Sequence, residues 1–220
     1  HWNWREERPF VPADCGITLP NREEIVQSLV YCEGIRNRLR ADEAQKNILR
    51  GAHLPTILPK CDVANHGALV DILSTIARRS YETHFKGRKF NKLTGQLVGK
   101  VCIASESRFI EIRNRMSQEF VPGLTFFTPF QGYSISASRQ IINLLPEECA
   151  LSCFDTIWNF AVYPEILLSD SDKPGYDFAG FSVGLGLRSI CGEVTSSTAN
   201  LEGRDRGAFS HCSSGLFLSR

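Results

Sequence analysis

Apolar residues recur at helical spacing in the first third of the chain and in short runs after it. Residues 1–14 carry no period and read as an irregular arm. Pro20–Asn21 followed by Glu23 and Glu24 is a helix start. Ile25, Leu29 and Cys32 then recur at helical spacing, with Val26 and Val30 alongside. Gly34 marks a break, and a second charged helical turn runs to about Arg50. "GAHLPTILPK" reads as a proline-rich connection. Leu69, Ile72, Leu73 and Ile76 form a stripe at i, i+3, i+4, i+7, which predicts an amphipathic helix. His66 at its start fits capping or packing better than ligation.

Beyond residue 85 the pattern changes. "QLVGKVCIA" reads as a strand, and "SRFIEIRNRMSQEF" fits strand or helix equally. "LTFFTPF", "RQIINLL", "CALSCFDTIWNFAVY", "DFAGFSVGLGL" and "SICGEVTSS" are short apolar or alternating runs bounded by Gly, Pro, Ser and Asp. Helices first and a meander of strands after them predict an α+β fold, with N-terminal helices packed on one face of an antiparallel sheet. Residues 1–60 form an N-terminal arm and helical elaboration and 61–220 an α+β domain, or the two make one continuous domain.

Composition supports a packed core and excludes compositional disorder: 42% of the 220 residues are hydrophobic. Net charge is +1, yet its distribution is uneven. Residues 1–120 hold 19 Lys/Arg and 14 Asp/Glu, a balance of +5, and residues 121–220 hold 6 and 10, a balance of −4. The basic peak is "ARRSYETHFKGRKFNKLTGQLVGK", residues 77–100, with seven Lys/Arg and one Glu. No apolar run is long enough to span a bilayer.

Eight cysteines stand at Cys15, Cys32, Cys61, Cys102, Cys149, Cys153, Cys191 and Cys212. None forms a CxxC and no His lies at zinc-finger spacing, so no metal and no cofactor is expected. An even number spread over the chain reads instead as up to four disulfides in an oxidising compartment, with a signal peptide already removed. His1, with its amino group and imidazole, could hold copper together with His211, a reading that weighs less.

"GFSVG" (180–184) matches the nucleophile-elbow pattern, but the next residues read as more strand, so the match is by chance. The basic stretch offers better chemistry. A metal-free endoribonuclease needs a base for the 2′-hydroxyl, an acid for the leaving oxygen, cations on the phosphate and an aromatic for the base. Tyr81, His84, Phe85, Arg88 and Lys89 supply those residue types within nine positions.

The further order of segments resembles the small fungal guanyl-preferring ribonucleases. It runs from a Cys and a helix to "YETHFKGRKF", "TFFTPF", "ASRQIIN" and "ICGEVTSSTANLEGRDRGAFSHC". The resemblance spans roughly residues 61–212, is gapped and rests on short motifs. It implies that His84 stands for the histidine beside the base. It implies that Arg139 stands for the phosphate-clamping arginine, with Arg188 competing for that place. The catalytic Glu is replaced by Phe126 or Phe127, and the general-acid His by Ser196. Ser cannot protonate a leaving alkoxide at neutral pH as an imidazolium can. With two of four roles unfilled, the chain resembles the ribonuclease-like secreted effectors of plant-pathogenic fungi, which keep the scaffold and lose the chemistry.

The resemblance implies a secreted, disulfide-held virulence effector that binds host RNA or a host protein; the sequence does not give the oligomeric state, and a monomer is the expectation. Arg78, Arg79, Tyr81, Lys86, Arg88, Lys89 and Lys92 would form its RNA-binding face. Two alternatives stand beside it. One is an active endoribonuclease using His84 and Arg139 with Glu106 or Glu111. The other is a disulfide-rich adhesin or receptor-binding protein acting through surface loops.

Overall fold

The computed structural model describes residues 9–43, 45–92, 97–167, 175–184, 188–194, 198–205 and 212–219. A short strand β1 (Ile17–Thr18) precedes helix α1 (Arg22–Ala41), a 3-10 turn (Lys46–Arg50) and strands β2 (His53–Leu58) and β3 (Lys60–Cys61). Helix α2 (His66–His84) leads to β4 (Lys89–Asn91), β5 (Val101–Ile103) and α3 (Phe109–Met116). Then come β6 (Val121–Gln131), α4 (Ile135–Ile141), β7 (Cys149–Leu151) and α5 (Phe154–Val162). Strands β8 (Gly175–Val183), β9 (Arg188–Val194), β10 (Thr198–Asp205) and β11 (Cys212–Leu218) close the order.

Local chemistry explains the two long helices. Asn21 accepts from the Glu24 amide at 3.0 Å while the Glu24 carboxylate accepts from the Asn21 amide at 2.7 Å. This capping box satisfies two otherwise orphaned donors. Glu23 and Glu24 in the first turn and Arg38 and Arg40 in the last complement the helix dipole. The buried stripe of α1 is Ile25, Ser28, Cys32, Ile35 and Leu39. It runs straight through Gly34, so the expected break is absent. A single Gly in a helix interior costs only about 1 kcal/mol, less than the stripe on either side of it gains by burial. A Cβ at Gly34 would meet nothing within 4 Å. Gly34→Ala is therefore expected to raise stability by about 0.5–1 kcal/mol, read as a shifted denaturant midpoint with unchanged m. For α2, the Asn65 side chain accepts from the Ala68 amide at 3.0 Å, and Leu69, Val70, Leu73, Ile76, Ala77 and Tyr81 are buried.

The main sheet runs β2-β6-β11-β8-β9-β10-β4, with β5 paired to β8 and β7 paired to β11. The fold is α+β, but the sheet is mixed: β11 pairs β8 and β10 pairs β4 in parallel. That corrects the expectation of an antiparallel sheet throughout. Strand alternation divides the apolar residues between two cores. Leu124, Phe126, Leu216 and Leu218 share one with Cys32, Ile35 and Leu39 of α1 and with Ile135 of α4. Val121, Phe127, Phe178 and Phe217 share the other with Leu69, Leu73 and Ile76 of α2 and with Phe154 and Ile157 of α5. Strand β2 hydrogen-bonds to β6 over His53–Leu58, so the N-terminal sixty residues contribute an edge strand to the same sheet.

Several sequence readings change. The connection "GAHLPTILPK" contains β2, and "RQIINLL" is helical at α4 and the following turn. "CALSCFDTIWNFAVY" is a three-residue strand and then α5. "SRFIEIRNRMSQEF" resolves as α3.

The cysteines also differ from expectation. No disulfide joins Cys15, Cys32, Cys61, Cys102, Cys149, Cys153 and Cys191, and the side chain of Cys212 lies outside the described residues. Cys32, Cys61, Cys149, Cys153 and Cys191 are buried, as suits small apolar side chains. The Cys32 thiol donates to the Gly123 carbonyl at 3.1 Å. Burial pushes the thiols of Cys32 and Cys149 up to about 12 and that of Cys153 well above its ordinary range, so all three stay protonated and unreactive.

Candidate functional site

Helix α2 carries the basic stretch to the β4 edge of the sheet. Its end is set by the Phe85 amide donating to the Tyr81 carbonyl at 2.8 Å. The turn after it passes through Gly87 at φ +86°, a conformation that favours glycine. Arg78, Arg79, His84, Lys86 and Lys89 are exposed, and Arg88 and Lys92 are half-buried. Arg79 stacks 3.5 Å from the Phe10 ring centroid, and Arg88 lies 5.4 Å from that of Phe85. Arg78 stands 4.0 Å from Glu82, and Lys92 donates to Asp71 at 2.8 Å. Lys86 and Lys89 form no ion pair among the described residues. The strip thus sets six cations against Asp71 and Glu82, and Glu82 also accepts from the Phe90 amide at 3.3 Å.

Tyr81 does not belong to that surface. It is fully buried, with its ring 5.0 Å from Phe85 and 5.9 Å from Phe90. It fills the core beneath the strip and cannot stack on a base. His84 lies on the last turn of α2, its ring edge-on to Phe85 at 4.5 Å.

Arg139 stands elsewhere. It sits on α4, 4% exposed. Its Nε donates to the Ala179 carbonyl at 2.8 Å and its Nη2 to the Phe181 carbonyl. Pairing of β8 with β9 shifts between Phe178 and Val183. Arg139 satisfies carbonyls in that irregular stretch, as buried polar backbone requires. It is a structural side chain, not a phosphate clamp, and α4 packs on β8 while α2 packs on α5 and β4. Phe126 and Phe127, at the place of the expected acid, are buried in the two different cores. Glu106 and Glu111 lie before and on α3. Ser182 is part of β8, away from any strand-to-helix turn. His66 packs against Phe154 at 6.1 Å, and burial lowers its pKa. His1, Ser196 and His211 lie outside the described residues, as does the Arg188 side chain.

A buried polar chain crosses the core beside α5. Asp155 accepts from the Cys153 amide at 2.6 Å, from Ser152 Oγ at 2.9 Å and from Thr125 Oγ1 at 3.1 Å. Thr125 Oγ1 lies 2.8 Å from Thr56 Oγ1, which accepts from Asn159 Nδ2 at 2.8 Å. Burial raises the Asp155 carboxyl above its ordinary range against the opposing pull of those hydrogen bonds. All five of its side chains are buried, so it knits β2, β6 and α5 together and has no access to a substrate.

The sequence reading missed a concave basic surface at the opposite, β2 edge. Arg36, Arg40, Lys46, Arg50 and His53 line a cleft of about 330 Å³. Arg36 and Arg40 share a face of α1 by their i, i+4 spacing, the one signal for it in the sequence. No group of His, Cys, Asp and Glu among the described residues could hold a metal ion.

No protein-family model matches the chain, and neither a curated protein nor a solved structure matches it.

Proposed function

We propose that this chain is a non-catalytic binding protein whose basic strip at the end of α2 takes the phosphate backbone of single-stranded RNA. The observation that carries the reading is the cluster of exposed cations at one sheet edge. Lys86 and Lys89 there have no acid among the described residues, and Arg78 and Arg79 extend the row along the helix. Polyanions bind such rows through release of condensed counterions, without base readout. The buried, carbonyl-bound Arg139 and the core position of Tyr81 favour binding over cleavage. An exported, host-facing protein is the setting that the ribonuclease-like resemblance implies. Paired cysteines no longer support it, and the binding reading does not depend on it.

The test compares wild type with an Arg78→Glu/Lys86→Glu/Lys89→Glu variant in an anisotropy titration with labelled single-stranded RNA. These side chains are exposed, so folding is expected to persist, checked by circular dichroism. The expected result is a loss of at least about tenfold in affinity at low salt, with a salt slope shallower by about 0.7 for each phosphate contact removed. Equal binding by the variant would place the ligand elsewhere. RNA cleavage that survives chelator and vanishes in His84→Ala would make the strip an active site.

A further inference from the structure

The 3-10 turn Lys46–Arg50 is a partition with a cavity on each side, and Asn47 lines both. On one side is the basic cleft. On the other is an apolar pocket of about 360 Å³, whose walls include Leu39, Ile48, Phe130, Leu145, Leu216 and Leu218. The two are neighbours along the chain, and Asn47 is the lining residue they share. Within the turn, Ile48 faces the pocket, and Leu49 and Arg50 line the cleft. On α1, Leu39 goes to the pocket and its neighbours Arg36 and Arg40 to the cleft.

Each half favours a different part of a ligand. The pocket opens into the core that α1 shares with β6 and β11, so its floor is hydrocarbon and aromatic. Its volume falls in the range of small-molecule sites, and apolar walls with a few polar groups at one end are their usual make-up. The cleft carries an excess of positive charge. Arg36 pairs with Glu33 at 2.7 Å and Lys46 with Glu43. Among the described residues, Arg40 bonds the neutral Asn37 at 3.5 Å and forms no ion pair, and Arg50 forms none either. Among the described residues, the four Lys and Arg side chains of the cleft meet two paired carboxylates, which leaves a surplus of positive charge. Guanidinium groups suit phosphate and carboxylate oxygens through paired N–H donors.

We propose that the two cavities form one site for an amphiphilic anion. A single hydrocarbon chain occupies the apolar pocket, and a phosphate or carboxylate head lies across Asn47 on Arg40 and Arg50. The site is at the β2 edge and the basic strip at the β4 edge, so the proposal stands apart from RNA binding.

Calorimetry on the full chain, with each probe below its micelle concentration, tests it. The probes are dodecyl phosphate, dodecanoate, dodecanol and inorganic phosphate. Saturable one-to-one binding of dodecyl phosphate or dodecanoate is expected, and their ratio names the head preferred. Dodecanol and inorganic phosphate should each bind at least about tenfold more weakly, since each lacks one half of the contacts. Arg40→Glu/Arg50→Glu changes two exposed side chains and should cost the anionic amphiphiles about tenfold or more while leaving dodecanol unchanged. Ile48→Trp should block every chain-bearing probe. Inorganic phosphate binding as tightly as dodecyl phosphate would remove the pocket from the site. Dodecanol binding as tightly as dodecanoate would remove the cleft. Absence of binding by both anionic amphiphiles would overturn the proposal.

Discussion

Asp155→Ala is expected to lower the unfolding free energy by about 3 kcal/mol or more. The carboxylate takes three hydrogen bonds inside the core, from the Cys153 amide, Ser152 and Thr125. Truncation removes the acceptor and leaves the donors. Thr125 keeps Thr56 at 2.8 Å, but the Cys153 amide points in a fixed direction and loses its partner. An orphaned buried donor costs its full desolvation, about 1–3 kcal/mol, and the missing side chain adds a cavity term. Denaturant unfolding reads the difference, and a loss below about 1 kcal/mol would show that the network is not part of what holds β2, β6 and α5 together.

The same carboxyl gives the chain a pH dependence of defined sign. Burial raises its folded-state pKa above the unfolded range of about 3.9. The folded chain therefore binds that proton more tightly than the unfolded chain. The contribution is fully present below the unfolded value and is lost as pH rises through the folded one. Asp155→Asn cannot ionise, so the stability gap between wild type and this variant should change across that window and level off on either side. A pH-independent gap would contradict the buried carboxyl.

Gly215→Ala is the second large effect. A Cβ there would meet Ser152 Oγ at 2.6 Å and the Phe126 carbonyl at 2.8 Å. Gly215 lies where the β11–β6 register shifts, between Ser214 and Leu216. There β11 leaves β8 and takes up β7, and the Gly215 carbonyl accepts from the Ser152 amide at 3.0 Å. Added bulk must displace backbone on β6 or push Ser152 off Asp155, at about 1–3 kcal/mol. Because both changes act on Ser152, Gly215→Ala and Asp155→Ala should combine to less than their sum, by about 0.5 kcal/mol or more in a double-mutant cycle.

The long helices were legible because each has one buried face and one wet one. The stripe of α2 is periodic in the sequence, whereas that of α1 is legible only in part: Ile25 and Cys32 are buried, Val26 and Val30 are exposed, and the buried face continues past Gly34 through Ile35 and Leu39. Helix α5 was not legible, since residues Phe154–Ala161 are buried all round and an apolar run without a period fits strand or helix alike. Strand β2 hid behind Pro55 and Pro59, yet an edge strand tolerates proline where a central one does not. An even cysteine count suggested pairs, but burial as small apolar residues accounts for most of the described thiols.

At the candidate site, the exposed cations of the strip could be read from a contiguous stretch. Their neighbours could not. Tyr81 belongs to the stretch in sequence and to the core in space, because the helix turns it inward. Arg139 has the residue type of a phosphate clamp, and only its carbonyl partners show otherwise. The second basic surface needed tertiary placement, since His53 reaches Arg36 and Arg40 only through the pairing of β2 with β6 and the packing of α1 on it.

Titration of wild-type protein with labelled single-stranded RNA at stepped salt concentrations tests the central claim most directly. The account predicts a logarithmic affinity that falls linearly with the logarithm of salt, by about 0.7 for each phosphate neutralised, without cleavage of the RNA. An affinity indifferent to salt, or no binding at low salt, would contradict it.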